Sequence, residues 1–156
     1  MDAKFIVLEG PDGSGSTLHG KLLLERMQKE GIDAIFTYEP TNGPIGTEIR
    51  SLLQGKSMPQ VDTIQLLFTA DRAEHVHNVI LPALEKGTSV ICDRFSLSTI
   101  IYGLAQGLDK QWLHDISTPF PIPDLTIITL PPYELCMERI AERKSTDQYE
   151  GSALQR

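Results

Sequence analysis

Residues 10–17 read GPDGSGST and directly follow the apolar run FIVLE. Glycines at positions 10, 13 and 15 let backbone N–H groups turn inward around phosphate oxygens, and a helix starting just after them adds its positive end. The spacing is that of a phosphate-binding loop, G-x-x-x-x-G-K-[ST], with Thr17 where a hydroxyl would bind Mg²⁺ and Ser16 in place of the lysine. The plainer alternative is a Gly/Ser-rich turn between a strand and a helix. A lysine at position 16 would put a mobile charge on a transferring phosphoryl group. Losing one such donor typically costs about 2.7–4 kcal/mol, roughly a hundred- to thousandfold in rate. Lys21 lies about 140° around the helix from position 16 and is a poor stand-in; His19, Arg94 and the arginines towards the C-terminus are better candidates.

The elements that must hold this loop follow from the apolar pattern. Residues 4–8 read as a buried strand, and a helix is expected from Ser16 to Glu30, with Leu18, Leu22, Leu23 and Met27 along one side and Gly31 ending it. AIFTY (34–38) is a second strand, closed by Glu39-Pro40, and a helix over Ile45–Gln54 stops at Gly55. A long helical pattern covers 61–86, bent at Pro82. SVICD (89–93) and LTIIT (125–129) are strands without polar alternation, and a helix is expected over 133–143. Strands buried on both faces and alternating with helices predict a parallel sheet in a three-layer α/β domain. Gly107-Leu108-Asp109 and Pro119–Pro123 read as connections within that domain. His75 and His77 lack the i, i+4 spacing of a helical metal pair and are read as surface residues; His114 has no nameable partner.

Composition narrows the function classes. At 156 residues, 40% hydrophobic and 22% charged, the chain is sized for one globular domain. No apolar stretch reaches membrane-spanning length and no signal-like N-terminus is visible, so no membrane partner is expected. Cys92 and Cys136 sit in unrelated contexts, which points to a reducing cytoplasm rather than a disulfide framework. A net charge of −7 with a pI near 5.0 argues against a nucleic-acid partner, which needs a basic face. An anionic ligand must therefore be held by backbone amides and a few local arginines.

With the later motifs added, the chain resembles the thymidylate kinase family over nearly its whole length. FIVLEGPDGSGST is similar to that family's strand and phosphate loop. EPTNGPIGTEIRSLL, LLFTADRAEH and DRFSLSTIIYG resemble its next signatures in order and spacing, and PDLTIITL with ELCMERIAERK resembles its late strand and the helix leading to a lid. The resemblance implies a P-loop NTPase fold with a parallel β-sheet flanked by helices. It also implies transfer of the γ-phosphoryl group of ATP to dTMP, with Mg²⁺, in a homodimer. The domain would occupy residues 1–156, with a lid near 143–152 and further elements expected beyond Arg156.

Residue by residue, the resemblance gives ATP to Gly10, Asp12, Gly13, Ser14, Gly15, Ser16, Thr17, Arg139 and Arg143, and Mg²⁺ to Thr17 and Asp93. It gives dTMP to Asp12, Glu39, Pro40, Arg50, Phe68, Arg72, Arg94, Ser98, Thr99 and Tyr102. Within that set, Phe68 faces the thymine, Arg72 a base carbonyl, Arg94 and Arg50 the monophosphate, and Asp12 the sugar 3′-hydroxyl. Ser98 and Thr99 lie at the pyrimidine edge, and Tyr102 crowds the sugar 2′ position. Arg94, Asp93, Ser16 and Arg143 would carry the catalysis. Phe68 and Arg72, four apart, share one helix face whatever their role. Taken alone they read as a core Phe beside a solvated Arg, and Asp93-Arg94 as a structural ion pair. The acceptor is a phosphate monoester, already anionic at neutral pH, so positioning and charge neutralisation suffice without a protein base.

The chain departs from the family pattern at Ser16, at Tyr38, where many relatives carry arginine, and at Gln148 in a segment that commonly reads Asp-Arg-Phe. Arg139, Arg143 and Lys144 remain as nearby cations, and Arg143 is the preferred substitute. Two alternatives stay open on these grounds: a non-catalytic nucleotide-binding relative, and a kinase for another nucleoside monophosphate.

Overall fold

The computed structural model describes residues 2–55 and 58–142. In chain order the elements are β1 (Phe5–Glu9), α1 (Ser16–Lys29), β2 (Ala34–Tyr38), α2 (Pro44–Gln54) and α3 (Val61–His75). A π-helical turn (Val76–Ile80), α4 (Leu81–Glu85) and β3 (Ser89–Asp93) come next, then α5 (Ser96–Ala105), α6 (Lys110–Ser117), β4 (Leu125–Ile128) and α7 (Tyr133–Ala141). The four strands form one sheet in the order β2-β3-β1-β4, and every pairing is parallel, with Val7 opposite Cys92 and Thr126, and Thr37 opposite Cys92. The expected parallel α/β sheet flanked by helices is therefore present.

The two central strands carry the core. β3 is buried along its whole length, and Phe5, Val7, Val90 and Cys92 pack with Val76, Ile80 and Phe95. A second cluster, Ile49, Leu53 and Ile64 between α2 and α3, has Phe68 and Tyr102 packed against it. It forms the floor of a pocket beside the glycine loop. Burial on both faces does not extend to β4, which is paired on one side only among the described residues and whose Leu125 and Ile128 are 51% and 54% exposed.

α1 differs from its expected phase. Leu18 and Leu22 are 61% and 51% exposed, while the side facing the sheet is Ser16, Gly20, Leu23 and Met27. Gly20 sets this phase: a Cβ there would come within 2.5 Å of the Phe36 ring, so the helix backbone packs directly on β2. The long helical pattern over 61–86 is realised with a π-helical turn ahead of Pro82. A proline ring clashes with the carbonyl four residues back and donates no N–H, so the ladder widens there. Periodicity alone does not mark α5 and α6. α6 begins where Asp109 caps it, accepting a hydrogen bond from the Trp112 N–H at 2.8 Å.

Candidate active site

The three strands β1, β2 and β3 end at one edge of the sheet, and the chemistry-bearing residues follow those ends. Ligands gather at the carboxyl edge of such sheets because the strand-to-helix turns there are free to vary. Gly10–Thr17 leaves β1, Glu39-Pro40 leaves β2 through a cis peptide bond, and Asp93-Arg94 leaves β3.

The glycine loop has the backbone its sequence demands. Gly13 and Gly15 take φ of 79° and 88°, the left-handed region open to glycine. Gly15 is the N-cap of α1, and no side chain caps that helix. The N–H groups of its first turn have no intrahelical acceptor, so they and the helix dipole face whatever anion enters the loop. Gly13 also touches α7: a Cβ there would lie 2.4 Å from the Cys136 carbonyl oxygen. Gly13→Ala is thus expected to cost at least the roughly 1–2 kcal/mol of a left-handed non-glycine residue, with the clash added. Denaturant unfolding together with nucleotide binding checks this: ATP binding should weaken while dTMP binding holds.

Ser16, the first residue of α1, is buried. Lys21 is exposed, as its position on the helix requires. His19 places Nδ1 at 2.9 Å from the Gly15 carbonyl oxygen. From α7, the Arg139 guanidinium donates to the carbonyls of Gly13 at 3.0 Å and Ser14 at 3.4 Å, so a cation does stand on the loop. Arg143, Lys144 and Gln148 lie outside the described residues, as does the lid segment.

Thr17 and Asp93 meet across the loop, the Thr17 hydroxyl donating to Asp93 Oδ2. Asp93 Oδ1 is buried with no hydrogen-bond partner among the described residues. A buried unsatisfied carboxylate oxygen is costly unless something fills its coordination. A hydrated divalent cation suits this donor set of hydroxyl and carboxylate oxygens.

Beside the loop, Asp12, Glu39, Pro40, Leu53, Gln65, Phe68, Arg72, Arg94, Ser98, Thr99 and Tyr102 line a pocket of about 530 Å³, open mouth included. Ligand sites commonly span about 300–1,000 Å³. Every residue expected to contact a monophosphate acceptor lines it except Arg50. That side chain instead donates to the Pro40 carbonyl at 2.8 Å and to Thr47 Oγ1 at 3.3 Å, bracing the wall from behind. Leu53 and Gln65 are lining residues that motif reading does not single out; only their place on the α2–α3 seam reveals them.

Arg94 sits in the left-handed region at φ 71°. Its N–H donates to the Leu8 carbonyl at 2.8 Å. Glu9 pins the start of α5, accepting from the N–H of Phe95 at 2.9 Å and the Ser98 hydroxyl at 2.6 Å. Burial pushes the Glu9 carboxyl upward, and those same donors pull it partly back. The Arg94 guanidinium donates to Asp12 and, at 3.3 Å, to Ser98 Oγ, and lies 5.6 Å from the Tyr102 ring centre. Burial alone would lower its pKa; the neighbouring Asp12, Tyr102, Glu9 and Asp93 outweigh that and hold it raised. Arg94 is a fixed cation at the pocket mouth, beside Asp12 of the glycine loop. Tyr102 also donates to Asp12, at 3.1 Å.

Arg72 is not a solvated helix residue but one of the largest fully buried side chains. Nε donates to Glu39 at 2.9 Å and Nη2 to Thr99 Oγ1 at 3.1 Å. Its carbon centre stacks 5.0 Å and 5.6 Å from the Phe95 and Phe120 rings. Nη1 is buried with no hydrogen-bond partner among the described residues. His75, expected at the surface, is buried as well and donates to Glu39 at 3.0 Å. The reason is local: α3 turns a polar face inward, where Glu39 supplies the partner.

Comparisons with known proteins give the family. Residues 8–155 match the family model described as thymidylate kinase. This chain belongs to the thymidylate kinase family. A probable thymidylate kinase of Pyrococcus abyssi (strain GE5 / Orsay) is 43% identical over 155 residues, 96% of this chain and 76% of the relative. A thymidylate kinase of Chlamydia felis is 39% identical over 158 residues, 96% of this chain and 76% of the relative. That of Thermomicrobium roseum is 45% identical over 139 residues, covering 86% and 66%. The parallel sheet with its glycine loop is the P-loop kinase fold, and members of this family are ATP-dependent phosphotransferases.

Proposed function

We propose that the chain transfers the γ-phosphoryl group of ATP to dTMP, giving dTDP and ADP. The observation that carries this reading is the pairing of two arginines in one pocket beside the glycine loop. Arg94 is a fixed cation next to Asp12, and the buried Arg72 lines the same pocket as Phe68, Pro40 and Leu53. The pocket takes a flat pyrimidine with a carbonyl towards the Arg72 side and a methyl group among apolar side chains. Arg94 then grips the monophosphate with its planar fork, Asp12 accepts from the sugar 3′-hydroxyl, and Tyr102 narrows the space at the 2′ position.

On the other side, the amides of the glycine loop and the first turn of α1 hold the ATP phosphates, with Arg139 against the loop. Thr17 and Asp93 would hold Mg²⁺, which when bound neutralises phosphate charge. An oxygen of the dTMP phosphate forms the new bond to the γ-phosphorus as the bond to the bridging β–γ oxygen breaks, and ADP leaves with that electron pair. The chain's part is alignment and charge neutralisation. No helix among the described residues is long and apolar enough to cross a membrane. A cytoplasmic homodimer is the setting that family resemblance supports.

A coupled ADP-release assay tests the reading, using purified protein with dTMP, dUMP, CMP and AMP in turn. Turnover should require Mg²⁺ and favour dTMP. Binding of dTMP without turnover would leave a nucleotide-binding relative in place of a kinase.

A further inference from the structure

His75 closes α3 with a side chain only 1% exposed, and no step of the transfer employs it. We propose that His75 is a positioning residue for base selectivity, acting from behind the pocket by holding Glu39 so that the Arg72 guanidinium keeps its orientation at the pocket wall. The inference rests on the dTMP reading.

The hydrogen-bond chemistry fixes the proton on one ring nitrogen of His75. Glu39 as a carboxylate only accepts, and both its oxygens are taken: Oε2 by Arg72 Nε at 2.9 Å and Oε1 by His75 Nδ1 at 3.0 Å. Nδ1 therefore carries a hydrogen. Nε2 lies 2.6 Å from Thr37 Oγ1 and in the neutral ring accepts that hydroxyl. A continuous chain thus runs from Thr37 on β2 through His75, Glu39 and Arg72 to Thr99 on α5. Each link removes a freedom of the next. With Nε on Glu39, Nη2 on Thr99 and the guanidinium held against Phe95 and Phe120, the group has one orientation left at the pocket wall.

Without His75, Glu39 Oε1 is a buried acceptor with nothing to accept. Carboxylate and guanidinium pair best as a two-bond fork, so Oε1 would draw a second N–H from Arg72, pull it off Thr99 and turn the plane. A donor aimed at the pyrimidine 4 position favours a carbonyl there over an amino group, and turning the plane erases that preference. Glu39, His75 and Cys92 also bring possible ligand atoms within 4.8 Å of one another. The Arg72 cation on the same carboxylate opposes a metal ion there, and burial pushes the Cys92 thiol well up, away from the thiolate a metal needs.

The test uses the full chain with dTMP and 5-methyl-dCMP, which differ in carbonyl against amino at that position and in N–H against a bare acceptor at N3 beside it. His75→Leu should raise the KM for dTMP roughly 10- to 100-fold, the scale of one charge-assisted hydrogen bond misplaced. The KM for ATP should stay unchanged and that for 5-methyl-dCMP should move far less. His75→Asn, whose amide N–H can stand where Nδ1 stood, should restore most of the preference. Thr37→Val at a half-buried position should shift the preference the same way by a few-fold, and it serves if the leucine variant fails to fold. Unchanged preference in folded Leu and Val variants, or equal loss for both nucleotides, overturns the inference while dTMP turnover by the parent protein leaves the function standing. A parent protein that does not turn over dTMP fails the function itself, and the inference with it.

Discussion

Arg94→Ala is expected to lower kcat/KM for dTMP by at least roughly a hundred- to thousandfold, the loss of about 2.7–4 kcal/mol typical when one pre-organised donor leaves a transition state. The expectation rests on how completely the side chain is fixed beforehand. Its backbone is held in the left-handed region by the bond to the Leu8 carbonyl, Glu9 pins Phe95 and Ser98 just after it, and Asp12 and Ser98 hold the guanidinium. A charge held ready costs no reorganisation when the phosphoryl group moves. Arg94→Lys should recover little, because an ammonium group cannot reproduce the two-bond fork. Steady-state kinetics with both nucleotides varied reads the effect. A drop of less than about tenfold would show that Arg94 is an ion-pair partner of Asp12 and nothing more.

The second large effect runs in the opposite direction. Ser16→Lys should raise kcat by roughly a hundredfold or more, restoring the charge that the loop lacks, while ATP affinity changes less because the amide cradle is already in place. The N–H groups of the first turn of α1 have no intrahelical acceptor, so under the proposed function a lysine there would add to a loop already suited to an anion. Pre-steady-state measurement of the chemical step separates this from product release. If the rate is unchanged or falls, another cation fills the role. Arg139, already on the carbonyls of Gly13 and Ser14, is then the group to remove next: Arg139→Ala would abolish turnover in the Ser16 protein and spare the lysine variant.

The parts of this molecule legible in its sequence are those where one physical demand dominates. A glycine loop between an apolar strand and a helix permits few geometries, so β1, the loop and α1 are legible together. β3, buried throughout, reads as an unbroken apolar run. Phe68 and Arg72 fall on one face by spacing alone. Spacing does not say that Arg72 is buried, because its burial depends on Glu39, 33 residues away and delivered by β2. His75 escapes for the same reason: a histidine on a helix reads as surface until its inward partner is known. Motif resemblance puts Arg50 on the monophosphate; spacing does not say that it also donates to the Pro40 carbonyl, ten residues away. The apolar pattern gives the wrong phase for α1 because Gly20, the residue that sets its contact with Phe36, carries no apolar signal.

All of these roles depend on two anionic nucleotides lying end to end between the loop amides and Arg94. A dinucleoside polyphosphate joining adenosine to thymidine through five phosphates measures that arrangement directly, by titration calorimetry on the full chain. One molecule should bind per chain, displace both ATP and dTMP, bind far more tightly than either, and weaken sharply in Arg94→Ala. Displacement of one nucleotide only, or two molecules bound independently, would contradict the shared site.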